Sequence, residues 1–259
     1  MMELTMLGSG SGGNAVAIRA GDAVLLVDAG FSAVELARRL EAAHLAPGQV
    51  TGVLISHEHD DHVRGLRVFA KRHGNLPVYA NALTAERLQF QECAPEKLVI
   101  FNNGSPFAIG DFRIEPFSIS HDAVDPVGFV ICAGGRKVSV VTDIGYAGKM
   151  VPLKIRDSHI FVLESNHDTE LLRNSERPAQ LKHRILGKRG HLSNEHAAAL
   201  LAQVLGPATR HLILAHLSEE CNRPELVHRA MSRALAAMQR HDVKLQIARQ
   251  DVVGETVAV

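Results

Sequence analysis

The chain is 259 residues long, 46% hydrophobic and formally neutral, with 28 basic against 28 acidic side chains. That length and apolar content suit one sizeable α/β core, and the neutral balance excludes a partner recruited by overall charge, leaving nucleic acid or anionic lipid to local patches. Three cysteines, Cys93, Cys132 and Cys221, stand far apart without CxxC spacing, which argues against a disulfide framework or a cysteine zinc site and for a reducing compartment.

No stretch approaches the roughly 18 apolar residues of a membrane span, and MMELTMLGSGSGGN has no basic segment followed by a long apolar run. The expectation is a soluble, cytoplasmic protein with no membrane partner, folded as a single domain over 1–259. In chain order, apolar runs predict strands at Glu3 to Leu7, Ala15 to Ala20 and Ala23 to Asp28, a β meander. Ser32 precedes a helical pattern at Ala33 to Ala43, and a buried-strand pattern at Val50 to Ser56 stops at a histidine cluster. A helix over Val63 to Arg72, a strand at Pro77 to Ala80 and a helix at Thr84 to Phe90 follow. Lys97 to Asp143 is strand-rich, with turn signals at Asn102 to Ser105, Gly110 and Gly134 to Gly135, and is predicted to form a second sheet. After a strand at Ile160 to Leu163 comes a long polar stretch, then Ser193 as cap to a helix at Glu195 to Val204. A strand at His211 to Ala215 ends at His216. A helix over Pro224 to Arg240 and strands at Lys244 to Ala248 and Glu255 to Val259 close the chain. Strands in both halves with outer helices imply a layered α/β architecture.

The strongest chemical signal is Ser56-His57-Glu58-His59-Asp60-Asp61-His62, an H-x-H-x-D-H pattern directly after an apolar strand. Imidazole nitrogens and carboxylate oxygens are ligands for zinc and related divalent ions. His57, His59, Asp61 and His62 fall within six residues, so a compact loop can aim them at two neighbouring ions.

From this motif outward the sequence resembles the metallo-β-lactamase superfamily over nearly its whole length. The resemblance implies an α/β, four-layer αββα sandwich. Asp28 in LLVDAG resembles the family's first acidic position, which supports the metal loop. His121 in SISHDAVDPVGF, Asp143 in VSVVTDIG and His216 in LILAHLS resemble the later ligand motifs. Carried over, one ion takes His57, His59 and His121, the other Asp61, His62 and His216, with Asp143 shared. Two divalent ions, zinc or manganese, are implied, and between such ions a bridging water loses its proton near neutral pH and becomes the nucleophile. Asp61 therefore belongs to both the metal and the catalytic sets.

The superfamily includes lactamases, thioesterases, lactonases, arylsulfatases, oxidoreductases and nucleases, so other segments must choose the substrate. GHLSNEHAAALL resembles the histidine loop of the transfer-RNA 3′ processing nucleases, which makes His191 a candidate general acid held by Glu164. GSGSGGN, HEHDDH, SHDAVDPVGF, TDIGY, ESNHD, GHLSN and HLSEECNRP together are similar to the YycJ/WalJ exonuclease group. That resemblance implies a metal-dependent hydrolase degrading DNA 5′ to 3′; it would place an asparagine where this chain has Cys221. An RNA substrate, a small or cyclic phosphodiester, and a nucleic-acid-binding protein with a degenerate site are the alternatives. Between Arg173 and Arg189 six cations, Arg173, Arg177, Lys182, Arg184, Lys188 and Arg189, face only Glu176 in sequence; they either neutralise phosphates or form a solvated face. GSGSGGN either cradles an anion or connects strands tightly. His167 and Asp168 either grip a terminal phosphate or organise their own loop.

Overall fold

The computed structural model describes residues 1–259, which divide into two compact units. The first comprises Met1–Ser118, Ala123–Arg136 and Arg249–Val259; the second comprises Ile119–Asp122 and Lys137–Ala248.

The first unit opens with β1 (Met2–Gly8), β2 (Ala15–Ala20) and β3 (Ala23–Val27), an antiparallel meander of buried aliphatic residues. Helix α1 (Ala33–Ala42) is capped by Ser32, whose hydroxyl accepts from the Glu35 amide, and buries Leu36 and Leu40. Strand β4 (Val50–Leu54) is followed by two short helices, α2 (Asp60–Val63) and α3 (Leu66–Arg72), where the sequence predicted one. The break falls at Gly65, where a Cβ would lie 2.0 Å from the Phe31 carbonyl oxygen. Next come β5 (Val78–Asn81), α4 (Ala82–Phe90) and β6 (Leu98–Phe101). Strands β3 to β6 run parallel, so β6 extends the first sheet, although its sequence was assigned to the second. The unit also contains an antiparallel ribbon of β7 (Phe107–Ile109), β8 (Phe112–Ser118) and β9 (Val127–Ala133). Leu26, Leu36, Val53, Leu66, Phe69, Val78 and Leu88 are among the fully buried residues of its core.

The second unit is built on the parallel strands β10 (Arg136–Val141), β11 (Ile160–Glu164), β12 (His211–Ala215) and β13 (Lys244–Ile247), in that order. Its helices are α5 (Met150–Ile155), α6 (Thr169–Asn174), α7 (Ala179–Leu186), α8 (Asn194–Val204) and α9 (Pro224–Ala237). Strands β11 and β12 are buried along their whole length, as expected of continuous apolar runs in a parallel sheet. The final strand, β14 (Val257–Ala258), returns to the first unit and pairs antiparallel with β1. No helix is long and apolar enough to cross a membrane.

Candidate metal centre

Three candidate side chains sit where a parallel or meander strand stops. Asp28 follows β3, Asp143 follows β10 by two residues and His216 follows β12; all three have left-handed backbones, with φ of 64°, 55° and 55°. Non-glycine residues in this region cost on the order of 1 kcal/mol or more, and such strain concentrates at functional sites. The turn at each strand end re-aims one polar side chain away from the strand's apolar alternation.

In the first unit the H-x-H-x-D-H loop leaves β4 and is held from below by Asp28. One carboxylate oxygen of Asp28 accepts from the Ser56 amide at 2.8 Å; the other accepts from the Ser56 hydroxyl and from His62 Nδ1, both at 2.8 Å. Because the Ser56 hydroxyl donates to Asp28, it accepts from His57 Nδ1 at 3.0 Å. Both rings therefore carry their proton on Nδ1, which leaves Nε2 as the ligand atom. His57 Nε2 faces His59 Nδ1 at 3.0 Å, a spacing compatible with two nitrogens sharing one ion at about 2.0–2.1 Å from each. His57 and His62 are fully buried, and Asp61 is partly exposed.

The glycine-rich segment turns out to brace this loop. Asn14 accepts from the Ser9 hydroxyl and the Gly10 amide, and its Nδ2 lies 3.1 Å from both Asp61 Oδ2 and His62 Nε2. The backbones are laced as well: Asn14 N donates to Asp61 O at 2.8 Å, Gly30 N to Asn14 O at 3.0 Å and Ala29 N to His62 O at 2.7 Å. Asn14 was missed in the sequence, where only its position at the end of a glycine-rich turn, just before an apolar strand, hinted at a built contact. Glu58, between the two histidines, is buried and accepts from the Val124 amide, so it anchors the loop.

In the second unit Asp143, Glu164, His191 and His216 offer ligand atoms that all lie within 4.8 Å of one another. Glu164, at the end of β11, is fully buried. Its Oε2 accepts from the Ile144 and Leu192 amides at 2.9 and 3.0 Å, and its Oε1 from Nδ1 of His191 and of His216 at 2.7 and 3.0 Å. Burial alone would raise its pKa, but the two imidazoles, His191 foremost, outweigh burial and bring it down to about 2. Conversely, burial opposes the charged form of His191, yet Glu164 outweighs it and raises the pKa of that ring above its ordinary value. His121 is buried, which lowers its pKa, and its Nδ1 donates to the Gly190 carbonyl at 3.2 Å. Its Nε2 lies 3.8 Å from Asp143 Oδ1.

The structure thus brings His57, His59, Asp61 and His62 together in one unit, and His121, Asp143, Glu164, His191 and His216 in the other. Imidazoles whose Nδ1 is committed at His57, His62, His121 and His216, together with carboxylates gathered at strand ends, form a donor set whose chemistry fits divalent ions. A family model described as the β-lactamase superfamily domain matches residues 24–217. The chain belongs to the metallo-β-lactamase superfamily. Among its relatives, an exodeoxyribonuclease, YycJ, of Bacillus anthracis is 37% identical over 90% of this chain and 89% of its own length. Another exodeoxyribonuclease, WalJ, of Streptococcus pneumoniae serotype 2 is 35% identical over 90% and 88%. The metallo-β-lactamase fold protein YhfI of Bacillus subtilis superposes with a TM-score of 0.73 at 21% identity, covering 98% of this chain and all of that one. The fold is accordingly the metallo-β-lactamase fold, and the chain is a metallohydrolase of that superfamily.

Other motifs of this metallo-β-lactamase chain make contacts within their own unit. Asp168 spends its carboxylate on the Glu170 and Leu171 amides and so caps α6. His167 is buried, which lowers its pKa to about 4, so the ring is neutral near pH 7. Cys221 packs with Leu172 and Ile185, while neighbouring Asn222 donates to the Ser165 carbonyl at 2.9 Å and joins Asn194. Of the six cations between 173 and 189, Arg177 pairs with Glu220, Arg184 pairs with Asp122, Lys182 donates to the Arg173 and Ser175 carbonyls, and Arg189 donates to the His121 carbonyl.

Gly30 supplies a stability test. A Cβ there would fall 1.7 Å from Asp61 O and 2.7 Å from Asn14 N. Gly30→Ala must push these backbones apart, and overpacking of this kind costs roughly 2 kcal/mol. Thermal melts should fall by about 6 °C; an unchanged melt would mean that the loop gives way freely.

Proposed function

We propose that this metallohydrolase is a DNA exonuclease working 5′ to 3′ in the cytoplasm, as one catalytic domain, with two divalent ions, zinc or manganese. The ligand assignment follows the motif order: His57, His59 and His121 for one ion, Asp61, His62 and His216 for the other, and Asp143 for both. When bound, such ions lower the pKa of a water that serves as nucleophile and polarise the phosphoryl oxygen. The observation that carries the reading is the His191–Glu164 pair. A departing sugar oxygen needs a proton, and His191 is the one partly exposed ring of its cluster, with Nδ1 fixed by a buried carboxylate. Its Nε2 is then the atom that can deliver a proton to a leaving group. Glu164 orients the ring and favours its charged form. Support also comes from the exodeoxyribonuclease relatives, which align along nearly their full length.

The test is degradation of 5′-labelled and 3′-labelled DNA and RNA duplexes by metal-free protein resupplied with zinc or manganese. Stepwise release from the 5′ end of DNA is the expected result. Cleavage of RNA alone, or of a small phosphodiester with no polymer degraded, would overturn it. His191→Ala should retain its metal while turnover falls about 10²- to 10⁴-fold. Loss of metal from that variant would instead make His191 a ligand.

A further inference from the structure

Tyr146 follows Asp143 by three residues and is 53% exposed, in a chain with no tryptophan and only two tyrosines. It lies in a segment, 144–156, that carries Lys149, Lys154 and Arg156 and no acid. The segment 182–190, leading into His191, carries Lys182, Arg184, Lys188 and Arg189 and again no acid. The two are locked together within the second unit. Gly145 N donates to Ser120 O at 2.8 Å, the Ser120 hydroxyl donates to Lys188 O at 2.8 Å, and Ser120 bridges Tyr146 in antiparallel register. The fit is close enough that a Cβ on Gly145 would lie 2.5 Å from Gly190 N. Lys188 Nζ stands 5.6 Å from the Tyr146 ring centre, and Met150, 59% exposed, begins α5. The acid that reaches this surface, Asp122, is already paired with Arg184.

An exposed aromatic ring with one ammonium, Lys188 Nζ, beside it, on backbone tied by hydrogen bonds, suits a partner that is flat, apolar on its faces and negatively charged along its edge. A nucleobase with its phosphate has that chemistry. We propose that the Tyr146 ring stacks on an unpaired base of the substrate strand and that Lys188 holds the adjoining phosphate. The proposal rests on the exonuclease reading and names the surface that would grip the strand beside His191.

Two tyrosines make the test direct. Tyr79 is half-buried and stacked on Phe107 at 5.6 Å, so a change of tyrosine emission on binding reports Tyr146. Metal-free protein in chelator is titrated with a short oligothymidylate. Wild-type emission is expected to be quenched at saturation. Tyr146→Phe should bind within about twofold of wild type yet show no quench, Tyr146→Ala should bind roughly tenfold more weakly, and Lys188→Gln should reduce the slope of log K against log salt by about 0.7. Thermal melts establish that the variants are folded. Tyr146→Ala binding as tightly as wild type, or quenching that survives in Tyr146→Phe, would overturn the stacking proposal while leaving the exonuclease reading intact. Wild-type protein that neither binds nor degrades DNA would instead bring down the exonuclease reading itself.

Discussion

Asp143→Ala is expected to abolish tight metal binding and to lower DNA degradation by at least about 10³-fold, the equivalent of roughly 4 kcal/mol of transition-state stabilisation. The expectation follows from position as much as from charge. The Asp143 carboxylate is buried, and its Oδ1 lies 3.3 Å from His216 Nδ1 and 3.8 Å from His121 Nε2. It is the carboxylate that the proposed assignment gives to both ions, so its removal weakens each at once. Alanine also has to adopt φ near 55°, at a cost on the order of 1 kcal/mol. Asp143→Asn separates the two effects, because asparagine tolerates the left-handed region and keeps the side chain's shape. Metal content by elemental analysis and thermal melts should show the Asn variant folded like wild type and depleted of metal. Full metal occupancy with full activity in Asp143→Asn would remove this residue from the centre.

What the sequence disclosed depended on how local the determinant was. Strands β2 and β12 begin and end where their apolar runs do, and Ser32 and Ser193 cap the helices that they precede. The H-x-H-x-D-H loop was visible for the same reason, since a strand end followed by clustered histidines is a local pattern, whereas His121, Asp143 and His216 were singled out only through the family resemblance. The stretch between β11 and α8 was read as polar chain because α6 and α7 are short and bury only Leu172 and Ile185 respectively, too little for a helical period to register. Strand β6 was placed in the wrong sheet because nothing within Leu98–Phe101 specifies that its partner is β5. Asn14 was overlooked for the same reason, as its bonds reach Asp61 and His62 across 47 and 48 residues. The basic run between 173 and 189 left a phosphate patch and a solvated face both open because charge is visible in sequence and ion pairing is not. Arg177, Arg184, Lys182 and Arg189 each have a partner within the fold, which leaves two exposed cations, Arg173 and the Lys188 that stands beside Tyr146.

Glu164→Gln should leave the fold standing and weaken metal binding about 10- to 100-fold, the range typical when a group that orients a ligand is altered. Glutamine preserves the length of the side chain and one oxygen. That oxygen can still accept from the Ile144 and Leu192 amides, which places the amide NH₂ against Nδ1 of His191 and His216. Each ring must then accept at Nδ1 and carry its proton on Nε2, so His216 loses the lone pair with which it would bind an ion. His191 loses the carboxylate that raises its pKa. Glu164→Leu should behave differently. It strands two buried amides at about 1–3 kcal/mol each, and the melt should drop by roughly 10 °C whether or not metal is present. The pair of variants separates orientation from stability: competition with a metal-sensitive dye reads the first, and thermal melts read the second. A Gln variant that binds metal and degrades DNA as wild type does would show that the charge of Glu164 does not set the rings, and would leave its two backbone bonds as the reason for its burial.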